Sequence, residues 1–119
     1  SSRGIALDEA RGWLFAACNE GSVAVLDVEH GGKILSMLER GAGYDVIGYD
    51  SKLGHLYLAG GACLMIVGVT REGELRILQR LHAPESTHCA TVDDARHAWV
   101  CDPDHGLVWR VDDRNPATL

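Results

Sequence analysis

The chain has 119 residues, 46% hydrophobic and 24% charged, with a formal net charge of −6, which bounds it to one compact domain of ordinary globular composition. The acidic balance argues against a general nucleic-acid binder, because counterion release needs clustered Lys and Arg. No apolar run approaches the roughly 18 residues of a membrane span, and Ser1-Ser2-Arg3-Gly4 lacks the layout of a secretion signal, so a soluble chain with no membrane partner is expected.

Three segments repeat along the chain: ALDEARGWLFAAC from Ala6, GYDSKLGHLYLAG from Gly48 and TVDDARHAWVCDP from Thr91. Asp8, Asp50 and Asp93 anchor them at spacings of 42 and 43 residues. Leu14, Leu56 and Trp99 follow six residues after each Asp, and Phe15, Tyr57 and Val100 one further on. Val28, Val69 and Val111 form a second anchor in the same phase. A period of this length is that of a four-stranded β-propeller blade. Apolar runs bounded by Gly, Asp, Asn and Pro predict strands at 4–8, 13–18, 22–28 and 33–39 in the first repeat. The second repeat gives 44–50, 55–61, 64–70 and 75–82, and the third 88–93, 97–102 and 106–112, with its fourth strand missing or barely begun. Residues 33–40 carry a competing helical pattern in Ile34, Leu35, Met37 and Leu38, but Gly31-Gly32 and Gly41 leave it too short for a typical helix. The fold expected is all-β, about three four-stranded antiparallel blades over 4–40, 41–84 and 85–119, the last incomplete.

An Asp-containing turn, an aromatic-rich strand (WLFAACN, HLYLAGG, HAWVCDP), a Gly turn and a VAVLDV-type strand together resemble the YVTN-type repeat of bacterial β-propellers. The resemblance covers nearly the whole chain and implies a blade fold. It implies no single activity, since such repeats occur in surface proteins, stress-related proteins, quinoprotein-like chains and lactonase-like enzymes. The WD40 type matches less well, for no Gly-His opening or Trp-Asp ending is present. The family's rings hold more blades than three, so the chain resembles part of a longer propeller.

Blade geometry places the loops before each innermost strand, and those between second and third strands, at one rim. That rim is expected to carry Asn19, Glu20, Gly43, Tyr44, Asp45, Ser86, Thr87, His88, Asp102, Asp104 and His105. Imidazoles and carboxylates of this set have the chemistry for a divalent metal or for acid and base, although Asx residues in CDPDHG and CNEG also suit tight turns. Asp8, Asp50 and Asp93 fall at the opposite rim and recur in every repeat, which points to a turn role. No C-x-x-C pair occurs among Cys18, Cys63, Cys89 and Cys101. A hairpin symmetric about Ala95 sets Cys89 opposite Cys101, as a disulfide, as soft-metal ligands with His88 and Asp102, or as small buried hydrophobes. His30, His55, His82 and His97 fall in separate connections, and Trp13, Trp99 and Trp109 are expected between blades. Neither a phosphate loop nor a Gly-x-Ser-x-Gly elbow is present.

No catalytic residue, resident metal or cofactor is assigned by these patterns. Three blades leave two apolar end faces, so the expected function is a noncatalytic module for protein binding or self-assembly. Its partner is a second copy, closing a six-bladed dimeric ring, or the remainder of a longer propeller. The alternative is a propeller enzyme, such as a metal-dependent hydrolase or lactonase, with its site at the rim.

Overall fold

The architecture comes from a computed structural model, which describes residues 2–18, 20–39 and 43–119. Among the described residues, eleven strands form three antiparallel sheets in chain order. The first holds β1 (Ser2–Asp8), β2 (Trp13–Cys18), β3 (Val23–Asp27) and β4 (Lys33–Leu38). The second holds β5 (Ile47–Asp50), β6 (His55–Gly60), β7 (Cys63–Val69) and β8 (Leu75–His82). The third has three strands, β9 (Ala90–Val92), β10 (His97–Asp102) and β11 (Leu107–Asp112). Each sheet is a meander, so every strand lies beside its chain neighbour and the connections stay short.

Residues 33–38, where a helix competed, are strand β4. Val28 leaves the strand ladder: Val28–His30 form a 3-10 turn, capped by Asp27, whose side chain accepts from the Glu29 amide. The innermost strands are shorter than expected. β5 begins at Ile47 and β9 at Ala90, because the residues before them face a neighbouring sheet rather than their own. There Val46 N donates to His88 O at 3.1 Å and Ala90 N to Val46 O at 3.2 Å, a parallel bridge between the inner strands of two sheets. Such close approach needs backbone without side chains. A Cβ on Gly4 would strike the Asp45 carbonyl, and one on Gly48 would lie 3.0 Å from Thr91 Cα.

Two apolar seams hold the sheets together. Phe15, Ala17, Val23 and Val25 of the first sheet meet Leu56, Leu58, Met65 and Val67 of the second. Tyr57, Ala59, Leu64 and Ile66, on the second sheet's other face, meet Ala90, Ala98 and Val100 of the third. The middle sheet is therefore buried on both faces, which explains why HLYLAG and LMIVGV read as continuous apolar runs instead of alternating ones.

The outer faces of the first and third sheets have no cover among the described residues. Register aligns Ile5, Ala16, Ala24 and Met37 in one row across the first sheet and Leu7, Leu14, Leu26 and Ile34 in the next. Ile5 is 66% exposed and Ile34 53%. Trp13 lies in the first seam as expected, but Trp109 is 41% exposed, because no fourth strand flanks β11. Trp99 sits on the third sheet's outer face, which also has no neighbour here, opposite Thr91 and Arg110. Its equivalents are Phe15 and Tyr57, not Leu14 and Leu56. Asp8 pairs with Trp13 and Asp50 with His55, whereas Asp93 N bonds to His97 O, so the third turn is one residue shorter and shifts the strand phase by one.

Candidate functional site

Several of the side chains expected at the rim are engaged with one another or with nearby backbone. Ser86 Oγ donates to Asp104 Oδ2 at 2.6 Å, tying the loop before β9 to the β10–β11 turn. His88 Nδ1 lies 3.1 Å from Ser86 O. His105 Nδ1 lies 3.0 and 3.1 Å from the two Asp102 oxygens, and Trp109 Nε1 donates to Asp102 at 3.2 Å. The hydrogen bond from His105 is the main reason that the Asp102 carboxyl is held below its ordinary pKa, and the same bond raises that of the exposed His105. Asp45 is 3.6 Å from Arg3, and Glu20 is exposed in the β2–β3 turn. The Tyr44 ring is buried in the seam between the first two sheets, against Gly60 at the end of β6. Asn19 lies outside the described residues.

His105 with Asp102 can exchange a proton with solvent. The Ser86 hydroxyl, however, is bonded to a carboxylate, so it is not the Ser–His pair of an imidazole-activated nucleophile. Among the described residues, no three His, Cys, Asp or Glu side chains converge to hold a metal, and no pocket opens. Cys89 and Cys101 are joined as a disulfide across β9 and β10, with Cα atoms 5.7 Å apart, in the register that symmetry about Ala95 requires. Cys18 and Cys63 are free thiols at strand ends.

The opposite rim carries the recurring aspartates as turn residues. Asp50 accepts from the amides of Lys52 and Leu53, and Asp93 from those of Ala95 and His97. Asp8 accepts from the Arg11 amide and also from the Tyr49 hydroxyl of the next sheet at 2.6 Å. Burial alone would raise the Asp8 pKa, but the Tyr49 and Arg11 bonds bring it below the ordinary value.

One buried carboxylate here was not legible in the sequence. Asp113, just beyond β11, is buried and accepts from Tyr57 Oη at 2.6 Å and from the Asn115 amide at 2.9 Å, with His55 Nδ1 at 2.6 Å. Burial would raise its pKa, yet these bonds, Tyr57 foremost, hold it below the ordinary carboxylate value. Arg96 donates to the carbonyls of Asp113 and Asn115, and Thr118 N to Leu53 O at 2.8 Å. Residues 113–119 thus run from the third sheet beneath the second, and Leu119 reaches the first seam.

No family model matches the chain, and no curated protein does. Solved structures do. This is a propeller-like fold. One similar structure is titled Crystal Structure of Mitotic Checkpoint Complex, with a TM-score of 0.77 at 13% identity over 94% of this chain and 36% of that one. Another is the hydrazine synthase of Kuenenia stuttgartiensis, with a TM-score of 0.65 at 11% identity over 98% of this chain and 37% of that one. This chain therefore spans little more than a third of either, and at such identities the likeness shows an all-β, propeller-like arrangement of antiparallel sheets and nothing of function.

Proposed function

We propose that the chain is a noncatalytic propeller module of the YVTN type that works by protein binding or self-assembly. Two copies close a six-bladed ring, or the three blades pack into a longer propeller. One observation carries this reading: the first sheet's bare face repeats the pattern of the second sheet's covered one. Ile5, Leu7, Leu14 and Leu26 occupy the places of Ile47, Tyr49, Leu56 and Val67, all of which contribute to the first seam. A face built like a seam is a surface for another sheet, since contiguous apolar patches beyond a few hundred Å² mark interfaces. At the other end the third sheet offers Trp99, in the place of Phe15 and Tyr57, as the complementary face.

Light scattering on size-exclusion eluate across a dilution series tests it. A stable dimer that becomes monomeric on Ile5→Lys with Leu26→Glu supports ring closure between copies. A soluble monomer at every concentration removes self-assembly and leaves only packing within a longer chain.

A further inference from the structure

We propose that His55 is held as a doubly protonated imidazolium, and that its second proton is the latch fastening residues 113–119 to the second sheet. This latch joins the second and third sheets whatever the module binds.

Both ring nitrogens of His55 face oxygens. Nδ1 is 2.6 Å from Asp113 Oδ2, and Nε2 is 2.9 Å from the Pro116 carbonyl. The carbonyl can only accept, so Nε2 carries a hydrogen. On the Asp113 carboxylate, Oδ1 is taken by two groups that only donate, the amide N and the side-chain Nδ2 of Asn115. Oδ2 also takes the Tyr57 hydroxyl at 2.6 Å. Burial, and next the bond to Asp113, push the Tyr57 phenol above its ordinary pKa, so it stays a donor. The Asp113 carboxyl is held below its ordinary pKa, which leaves the hydrogen between Nδ1 and Oδ2 on the imidazole. A neutral ring has a single N–H and would set a lone pair against one of the two oxygens. His55 is fully buried, so water does not serve its second nitrogen as it can at the exposed His30 and His105.

The surrounding charges agree. Two further ones act on the cluster: Asp50, which pairs with His55 across β5 and β6, and Arg96, which donates to the Asp113 and Asn115 carbonyls. β7 sets Gly68 opposite His55 and contributes no charge, and Arg114 of the segment itself is exposed. With the imidazole charged, two cations offset two carboxylates; with it neutral, one carboxylate is left unbalanced. Loss of the proton turns a bond into a contact between lone pairs where Asp113 and Pro116 meet β6.

Imidazole NMR on the intact chain tests the protonation directly. At about pH 7.5, above the ordinary His value of about 6.5, His55 should still carry slowly exchanging hydrogens on both nitrogens. Hydrogen exchange tests the latch. The opening that frees the Thr118 amide from Leu53 O should increase by up to about tenfold per pH unit as the proton is lost, after correction for the intrinsic rate. The Ile66 amide, in the middle of β7, should not follow it. In Asp113→Asn, the new Nδ2 can donate both to a neutral His55 and to Tyr57 Oη while Oδ1 keeps Asn115, so Thr118 protection should become flat with pH. His55→Gln should flatten it as well. A ring with one hydrogen at about pH 7.5 overturns the proposal. So does Thr118 protection that does not fall in alkali, or a fall that persists in Asp113→Asn. The oligomeric state has no part in these readouts, so this proposal and the self-assembly reading fail separately.

Discussion

Asp113 shows how much one side chain can hold when its donors come from another sheet. Removing a buried, fully bonded carboxylate strands its donors, so Asp113→Ala should cost about 3 kcal/mol in urea unfolding. Asp8 and Asp113 both have pKa values lowered by folding from an ordinary 3.8. Their contribution to stability is complete above that value and is lost as pH falls through the folded one. Urea midpoints should thus decline as pH falls below the ordinary 3.8, less steeply in Asp113→Ala. His105 runs the other way. Its pKa is raised from 6.5 by the bond to Asp102, so what that pair contributes is present below the ordinary value and disappears as pH rises through the folded one. NMR titration should place the His105 midpoint above that of Asp102→Asn. The aspartates that bond within their own turns were legible, because an Asx turn needs only neighbouring residues. Asp113 was not, since its donors His55 and Tyr57 stand in another repeat and nothing local in DDRNP marks them.

Strands were legible wherever side-chain alternation or a continuous apolar run met clear punctuation, as at Trp13–Cys18 and His97–Asp102. They were overcalled at 44–50 and 88–93, where the chain bonds sideways to a neighbouring inner strand. That sideways contact depends on Gly4, whose added Cβ would meet the Asp45 carbonyl. Gly4→Ala should therefore destabilise the fold by about 1–3 kcal/mol through forced separation of the inner strands, read as a lower melting temperature. The third hairpin's phase was misread because counting from Asp93 assumes equal turns, and its turn is one residue shorter. The Cys89–Cys101 register survived, since the hairpin's symmetry does not depend on the earlier repeats. The disulfide spans a 12-residue separation, so Cys89→Ala should lower stability by about 3 kcal/mol under oxidising conditions.

At the scale of the molecule, the repeat period announced the sheets and their order, while the rim gave only residue types. Asn, Asp, His and Ser are both turn formers and ligands, and sequence does not say which bonds they have already made. Ser86 with Asp104 and His105 with Asp102 are cases in point. The bare face of the first sheet makes the last prediction. If copies associate through it, the melting temperature should rise with protein concentration, because association by mass action stabilises only the folded state. Ile5→Lys with Leu26→Glu should remove that dependence.

The fastening of residues 113–119 beneath the second sheet also sets an order of events during synthesis. His55 and Tyr57 are made before Asp113, and until the third sheet and Asp113 arrive the Tyr57 phenol has neither its cover nor its acceptor. The residues after β11 complete both seams, since Asp113 ties the second sheet to the third and Leu119 packs into the first seam, so the middle of the molecule is the last part to be finished.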